Sequence, residues 1–370
     1  MASLYIFLFF AFSPAYSQVY LSEFRIGVVL PLSGVLAEVG QAQANGLKVF
    51  GERLNWYGVP VSFVIRDDRS DPSQTLSEAQ ALVSSGVQVL ICCTSVEALS
   101  VLANYWNSWQ LPIISLSYRE GLGYSPWFFS VGLDGWGGLE RILSDISGQG
   151  LLNVAILSQD AGLRVWLEQK SPSYNLYPLF QSYSPNNLDL KPESLYVATR
   201  NPQAIILWDE EPWLTRAYLS LRQWGYGGLI YGNYSPQSSL SALEGLIMVY
   251  DSSHYSPSYQ EQPNWLAFQD FRQAYEARYG QGPYLVAAAL SYDALNLLKE
   301  AFNRSLGNGV AMNNQQLGYA LRDALVAMPQ RVGARAIYDF IDNYGNSPSA
   351  IRLESFPLFR VIAGHLEYVR

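Results

Sequence analysis

The adjacent cysteines Cys92 and Cys93 are the strongest candidates for nucleophilic chemistry in this sequence of 370 residues. They end an apolar run directly before Thr94–Glu97, a pattern typical of a helix start, where the pKa of a thiol is lowered. A thiolate also needs a base, yet the only two histidines, His254 and His365, lack the spacing of a catalytic pair. Two cysteines and two distant histidines form no recognisable metal-ligand set either. We therefore interpret both cysteines as small residues packed at a strand end, with a disulfide between them or a cysteine-dependent enzyme as alternatives.

Two groups of carboxylates could also do chemistry. Asp67 and Asp68 directly follow a predicted strand and precede a turn, which favours loop and cap roles over an acid–base pair. The triplet Asp209–Glu211 follows the predicted strand Ala204–Trp208, and doubly wound sheets bind ligands at this edge. A solvated acidic loop is the alternative for the triplet. The sequence contains no nucleophile elbow, phosphate loop or dinucleotide fingerprint, so we predict a non-enzymatic protein without cofactor or metal.

Two predicted helix starts carry hydroxyl groups. Thr94 and Ser117 each follow a predicted strand and precede a glutamate by three residues, which is the pattern of a capping box. The first N–H groups of a helix attract anions. Together with Ser33, in the turn after the first strand, and Ser95, these residues form a polar shelf suited to a ligand carboxylate.

Alternating strands and helices must position these residues. The predicted strands are Phe24–Leu30, Pro60–Arg66, Val87–Ile91, Leu111–Ser115, Trp127–Val131, Asn153–Leu157, Ala204–Trp208, Leu229–Tyr231 and Leu246–Tyr250, with short strands again from Ala336. Helical spacing runs from Val39 to Leu54 and ends at Gly58, and Asp71-Pro72 starts the next helix as N-cap and first residue. Further helices are predicted over Pro212–Gln223, Asn264–Tyr279 and Tyr284–Phe302. Such alternation predicts an α/β protein of two lobes, each a mostly parallel sheet flanked by helices.

Composition and the N-terminus restrict the partners. A net charge of −8 without a basic run argues against nucleic acid and anionic membranes as partners. The apolar stretch Leu4–Phe12, followed by Ala15-Tyr16-Ser17, is typical of a secretory signal peptide over residues 1–17. That stretch is too short to span a bilayer, and no later segment is long enough. We therefore predict an exported protein that does not span the membrane.

Several long stretches resemble one family of transport proteins. Ile26–Val49 (IGVVLPLSGVLAEVGQAQANGLKV), Arg66–Val83 (RDDRSDPSQTLSEAQALV) and Phe268–Phe302 are similar to the branched-chain amino acid type of ABC transporter substrate-binding proteins. The resemblance implies the type I periplasmic-binding fold, in which three crossovers join two lobes and binding in the cleft closes them about a hinge. It also implies a periplasmic receptor that delivers an amino acid, or a related small carboxylate or amide, to an ABC permease. A ligand-sensing regulator of the same fold, which controls transcription or signalling, is the alternative.

The resemblance also assigns lobes and residues. Lobe one would comprise residues 23–130 and 252–333, and lobe two residues 131–251 and 334–370. Thr94 and Ser95 stand where the family's serine-rich helix start holds the α-carboxylate of the ligand. The segment Ser117, Tyr118 and Arg119 matches the place where a small residue and a threonine complete that grip. Arg119 replaces the small hydroxyl there and would add a charge-assisted contact.

The second lobe departs further from the family pattern. Glu210 and Glu211 lie near a position often filled by an aromatic residue, and Tyr234 lies near the acid that usually pairs with the α-ammonium. Ala161 stands where a tyrosine commonly precedes the glycine. We therefore expect Glu210 or Glu211 to receive the ligand ammonium, so that a zwitterion bridges the two lobes.

Overall fold

Strands and helices alternate along most of the chain. The computed structural model describes residues 21–49, 51, 54–117, 125–132, 136–184, 189–209, 212–233, 240–249, 264–282, 284–306, 314–340 and 355–369. The predicted signal peptide lies outside these ranges. The strands are β1 (Phe24–Leu30), β2 (Leu54–Trp56), β3 (Val59–Asp67), β4 (Val89–Cys92), β5 (Ile113–Ser115), β6 (Phe128–Ser130), β7 (Val154–Ser158), β8 (Leu179–Ser182), β9 (Ala204–Leu207), β10 (Leu229–Asn233), β11 (Ile247–Val249), β12 (Arg331–Val332), β13 (Ile337–Tyr338), β14 (Leu358–Ile362) and β15 (His365–Val369).

The helices fill the intervals between these strands. They are α1 (Ala37–Leu47), α2 (Pro72–Ser84), α3 (Val96–Ser100), α4 (Trp106–Trp109), α5 (Gly137–Gly148), α6 (Leu163–Lys170), α7 (Lys191–Ala198), α8 (Trp213–Gln223), α9 (Trp265–Tyr279), α10 (Leu285–Leu306) and α11 (Asn314–Val326). Asp71 caps α2 as predicted, because its side chain accepts a hydrogen bond from Ser73 N at 2.8 Å and Pro72 takes the first helical position.

The first sheet has the order β2-β3-β1-β4-β5-β6. Every adjacent pair is parallel except β2 with β3. Strand β1 lies inside the sheet, between β3 and β4. Nearly all of Phe24–Leu30 is buried, as expected for a strand that is covered on both faces.

The second sheet has the order β15-β14-β11-β10-β9-β7-β8. Strands β7 to β11 pair in parallel, while β14 runs antiparallel to β11 and β15 antiparallel to β14. The chain thus returns to this sheet after α9, α10 and α11. Two parallel-dominated sheets flanked by helices confirm the predicted fold class, whereas the lobe bounds stay a prediction.

Helix α10 packs closely on α1 beside the first sheet. A Cβ atom on Gly46 would lie 2.1 Å from the carbonyl oxygen of Ala288 and 2.5 Å from Ser291 Oγ. The Ser291 hydroxyl donates to the carbonyl oxygen of Gln43 at 2.7 Å. Glycine at position 46 therefore lets the two helix backbones approach each other.

The predicted helix from Val39 to Leu54 is wrong at its C-terminal end. Helix α1 ends at Leu47, and Leu54–Trp56 is a strand that pairs antiparallel with β3. Tyr57 and Gly58 both have positive φ, 54° and 88°, which gives the two-residue turn of a hairpin. Trp56 is buried against Phe24 and Phe302, so packing on the first sheet decides the conformation of this segment.

Candidate functional site

Each sheet has one point at which its strand order reverses direction. In the first sheet β1 lies between β3 and β4, and in the second sheet β7 lies between β8 and β9. Helices pack on opposite faces on either side of such a point, which leaves a crevice at the carboxyl ends of the strands. We call the loops after β1, β4 and β5 the first-sheet edge, and those after β7, β9 and β10 the second-sheet edge.

Asp67 organises the loop after β1. Its carboxylate accepts hydrogen bonds from Leu32 N (2.8 Å), Ser33 N (3.1 Å), Ser33 Oγ (2.7 Å) and Arg69 N (2.8 Å). Burial raises the pKa of this carboxyl, but these bonds outweigh the effect and hold the pKa below its usual value. Ser33 is exposed at the first-sheet edge, and its hydroxyl donates to Asp67.

Asp68 and Ser70 complete the same loop. Asp68 is buried and accepts from Thr75 Oγ1 at 2.9 Å and from Ser70 N at 3.0 Å. Ser70 Oγ in turn donates to the carbonyl oxygen of Ser33 at 2.9 Å. Gly34 has a φ of +83°, and a Cβ there would lie 2.5 Å from the carbonyl oxygen of Arg69. The predicted loop and cap roles of Asp67 and Asp68 are confirmed.

Thr94 and Ser95 follow β4, but their roles differ from the predicted ones. The N-cap of α3 is Ser95 and not Thr94, because Ser95 Oγ accepts from Ala98 N at 3.2 Å. Thr94 Oγ1 instead donates to Gln43 Oε1 on α1 at 2.6 Å. The N-cap is therefore one residue later than predicted, and Ala98 at the third helical position leaves the capping box incomplete. A hydroxyl has a single proton, so Thr94 cannot give the same proton to a ligand carboxylate, whereas the Ser95 proton is not used in its cap.

Cys92 and Cys93 are joined to each other by a disulfide. Our interpretation as two separate packing residues is therefore corrected in favour of the disulfide alternative. Both residues are fully buried among Leu90, Ala98 and Leu99 at the base of α3. Cys93 has a φ of 71°, so the chain turns sharply between β4 and the Thr94–Ser95 pair.

Ser117 lies two residues after β5, buried at the first-sheet edge. Its backbone N donates to Ser115 Oγ at 3.1 Å, and its carbonyl oxygen accepts from Ser115 Oγ (2.8 Å) and Ser130 Oγ (3.0 Å). These bonds fix the backbone that leads into the predicted second helix start. Tyr118 and Arg119 lie outside the described residues, so the helix start predicted there stays a prediction.

A buried carboxyl group joins the loops of the second-sheet edge. Asp209 accepts hydrogen bonds from Tyr183 Oη (2.5 Å), Gln159 N (3.1 Å) and Ser158 Oγ (3.3 Å), and only 8% of it is exposed. Ser158 Oγ also lies 2.8 Å from the carbonyl oxygen of Trp208. Asp209 therefore ties the ends of β7, β8 and β9 together directly before Glu210.

Burial controls the ionisation of this cluster. It raises the pKa of Asp209 to about 6, although the bonds from Tyr183, Gln159 and Ser158 act in the opposite direction. Burial and the neighbouring Asp209 also raise the pKa of the Tyr183 hydroxyl. Tyr183 thus stays protonated and donates to Asp209 at neutral pH.

Asn233, the last residue of β10, contributes an acceptor to the same edge. Its Oδ1 atom is buried and has no hydrogen-bond partner among the described residues. A buried acceptor without a donor is costly, which makes this atom a natural partner for an N–H group of a ligand. The next residue, Tyr234, and the predicted ammonium partners Glu210 and Glu211 lie outside the described residues.

Among the described residues, no group of three or more His, Cys, Asp and Glu side chains could hold a metal ion. None of the helices described here is long and apolar enough to cross a membrane. Ala161, at the usual tyrosine position, is exposed in the loop after β7.

Sequence reasoning missed three of these residues. Tyr183 is absent from the sequence prediction, Asn233 is not predicted to bind a ligand, and Asp209 is predicted only as part of an acidic triplet. One signal could have found two of them, because a polar residue at the end of an apolar strand often faces a ligand. Asp209 comes shortly after β9, and Asn233 is the last residue of β10. The contact between Tyr183 and Asp209 spans 26 residues, so only the sheet order could have revealed it.

Residues 23–352 match the sequence profile of a family described as periplasmic binding protein. Among curated proteins, no sequence matches this chain. Many solved structures share its fold.

Three of these structures illustrate the similarity. A Rhodospirillum rubrum protein described as a branched-chain amino acid ABC transporter has 20% identity and a TM-score of 0.71, over 94% of this chain and 100% of that one. An ABC transporter substrate-binding protein from Desulfitobacterium hafniense has 19% identity and a TM-score of 0.64, over 94% and 100%. The branched-chain amino acid transporter substrate-binding protein LivJ from Streptococcus pneumoniae, solved with isoleucine, has 17% identity and a TM-score of 0.57, over 94% and 99%. At these identities the similarity shows the fold alone.

Proposed function

Because the chain belongs to the periplasmic binding protein family, we propose that it is a periplasmic receptor which captures a small amino acid, or a related carboxylate or amide, and delivers it to an ABC permease. Proteins of this family and the solved relatives bind solutes and are not enzymes, which removes the cysteine-dependent alternative. The relatives that bind leucine or isoleucine support an amino acid as the first ligand to test.

The chemical difference between the two edges carries this proposal. The first-sheet edge offers the hydroxyl groups of Ser95 and Ser117 and the first N–H groups of α3. The second-sheet edge offers oxygen acceptors at Asp209 and Asn233. An α-amino acid has a carboxylate for the donors and an ammonium group for the acceptors, so one zwitterion satisfies both edges.

The proposed binding event closes two lobes on the ligand. Lobe one comprises residues 23–130 and 252–333, and lobe two comprises residues 131–251 and 334–370. Arg119 adds a cation to the carboxylate side, and Glu210 or Glu211 adds an acid to the ammonium side. A ligand that bridges both lobes stabilises the closed arrangement, because only that arrangement completes both sets of contacts.

A thermal-shift panel tests the ligand class. The panel contains isoleucine, leucine, valine, glutamate, asparagine, succinate and glycerol, each at a concentration near 10 mM. A ligand present at one hundred times its dissociation constant adds about 2.7 kcal/mol to the free energy of unfolding, which raises the melting temperature by several degrees. We expect a shift with at least one amino acid, and calorimetry then gives its affinity. A panel in which no amino acid, carboxylate or amide shifts the melting temperature would contradict the proposed ligand class.

Two variants test the bridging contacts. Arg119→Ala and Glu210→Ala should each weaken binding of the identified ligand by roughly 2–5 kcal/mol, because each leaves a charged ligand group without its partner. Glu168→Gln is the control, since Glu168 is exposed and pairs with Arg164 on the same helix face. If both alanine variants bind as tightly as the parent, the charge bridge does not exist.

A further inference from the structure

A second cavity lies away from both sheet edges, between α9, α10 and the β12–β13 hairpin. Its volume is about 330 Å³, within the range of small-molecule sites. It is lined by Ala267 and Asp270 of α9, Tyr292 and Asn296 of α10, and Val332 of the hairpin. None of these residues belongs to the proposed ligand cleft.

The charged residues of this cavity are predominantly acidic. Asp270, Asp293 and Glu300 line it, against the single guanidinium of Arg331. Glu300 is already paired with Arg304 at 2.9 Å and with Arg331 at 2.6 Å. Asp270 is exposed at the rim and forms no ion pair with any described residue. Asp270 is therefore the lining carboxylate left for a ligand, and it would attract a cation and repel an anion.

Asp293 has a different role, because its carboxyl group is saturated by the protein itself. It accepts from Ala334 N at 2.6 Å, from Arg335 N at 2.7 Å and from Tyr338 Oη at 2.9 Å. A Cβ on Gly333 would lie 2.5 Å from Asp293 Oδ2, so the glycine allows this close approach. Asp293 is therefore held by the protein, and Asp270 is the carboxylate open to a ligand.

The remaining lining is apolar or aromatic. Ala267, Leu297 and Ala334 supply aliphatic surface, and Tyr292 and Tyr338 supply aromatic rings. The ring of Tyr292 is itself held by Phe271, with ring centroids 4.9 Å apart. A ligand with a compact apolar body can bury that body here while its charged head stays at Asp270.

Val332, which lines the cavity, also belongs to a segment that connects the two sheets. Residues 331–340 link α11, which packs on α10, to β14 of the second sheet. A molecule in the cavity therefore contacts the part of the chain that joins the helices beside the first sheet to the second sheet.

From these observations we propose that this cavity is a second binding site for a small monovalent organic cation with a short apolar body, such as an alkylammonium. Asp270 binds the cationic head, and the aliphatic and tyrosine lining holds the body. Occupancy restrains the segment of residues 331–338. The proposal does not depend on the ligand of the main cleft.

An isosteric series tests the charge and the place of binding. n-Butylammonium, n-butanol and butyrate have similar size and differ in charge, and calorimetry should detect binding of n-butylammonium only. Hydrogen exchange should slow in peptides that cover residues 331–338, while peptides that cover residues 90–100 keep their rates. Binding of all three compounds with similar affinity, or protection at residues 90–100 instead, would overturn the proposal.

Two variants and one control locate the contacts. Asp270→Asn should weaken n-butylammonium binding by up to about fivefold, the effect of losing an exposed ion pair. Ala267→Leu should abolish binding by filling the cavity, and it suits a helix. Glu168→Gln, on a distant exposed helix face, should bind like the parent. Unchanged n-butylammonium affinity in both Asp270→Asn and Ala267→Leu would place the cation elsewhere and refute the site, whatever the main cleft binds.

Discussion

The ionisation of Asp209 should make a measurable contribution to the pH dependence of folding stability. Burial raises its pKa from 3.8 in the unfolded chain to about 6 in the folded protein. Between these values the folded state binds more protons than the unfolded state, so the free energy of unfolding falls as the pH rises. The contribution of the protonated group is fully present below the unfolded pKa and is lost as the pH passes through about 6. A shift of about two units at 1.36 kcal/mol each corresponds to about 3 kcal/mol.

Asp209→Asn removes this titration and leaves a side chain of the same shape. The difference in free energy of unfolding between variant and parent should therefore move in favour of the variant by about 2 kcal/mol between pH 4 and pH 8, because part of the titration lies below pH 4. Tyr183→Phe has a different effect, because the Tyr183 hydroxyl lowers the pKa of Asp209. Its removal raises that pKa further, so the loss of stability should move to higher pH.

Urea unfolding at half-unit pH steps, followed by tryptophan fluorescence and by far-UV circular dichroism, measures both effects without ligand. Glu168→Gln is the control and should run parallel to the parent, because that carboxylate lies in an exposed surface pair. Asp293, whose pKa burial also raises to about 6, contributes to the parent curve with the same sign. The reasoning about Asp209 is refuted if the Asp209→Asn and parent curves stay parallel from pH 4 to pH 8.

Two further predictions follow from the packing and from the cysteines. Gly46→Val should lower the free energy of unfolding by about 2 kcal/mol or more, because its Cβ would lie 2.1 Å from the carbonyl oxygen of Ala288, and an unchanged urea midpoint would contradict this close contact. Cys92 and Cys93 should take up no iodoacetamide in urea without reductant and two labels after reduction, as read by intact mass. Labelling of both cysteines without reductant would show that they are free thiols.

The local signals in the sequence predicted most of the framework. Phe24–Leu30 has the predicted bounds because its apolar residues are nearly continuous, and such a run in an alternating α/β pattern identifies a buried parallel strand. Asp71-Pro72 started α2 as predicted, because both residues act within one turn of the helix. These features depend on neighbours in the sequence and need no knowledge of the fold.

The features that could not be predicted depend on contacts between distant residues. Leu54 satisfies helical spacing, yet the packing of Trp56 on Phe24 and Phe302 makes this segment a strand. Thr94 fits the capping pattern, but its hydroxyl donates a hydrogen bond to Gln43 of α1, which lies 51 residues away in the sequence. In both cases tertiary contacts outweigh a local preference of about 1 kcal/mol.

The contact between Thr94 and Gln43 also changes which residues can hold a ligand carboxylate. With the Thr94 proton directed to Gln43, the loop after β4 offers the Ser95 hydroxyl and the first N–H groups of α3. This helix has only five residues and carries Glu97 in its first turn, so its positive end is short and partly neutralised. A larger share of the carboxylate binding then falls to Arg119, which the sequence places two residues after Ser117.

The relative effects of two substitutions test this redistribution. Arg119→Ala should reduce the affinity for the identified amino acid by more than Ser95→Ala does. Loss of a charge-assisted contact costs roughly 2–5 kcal/mol, whereas loss of one neutral hydrogen bond costs about 1 kcal/mol. Ser95→Ala also removes the cap of α3, and Ser95→Thr is the control that should bind like the parent, because it keeps both the oxygen for Ala98 N and the hydroxyl proton for the ligand. Calorimetry on the three variants gives the order of affinities, and a larger loss in Ser95→Ala than in Arg119→Ala would mean that the helix start, and not the arginine, holds the carboxylate.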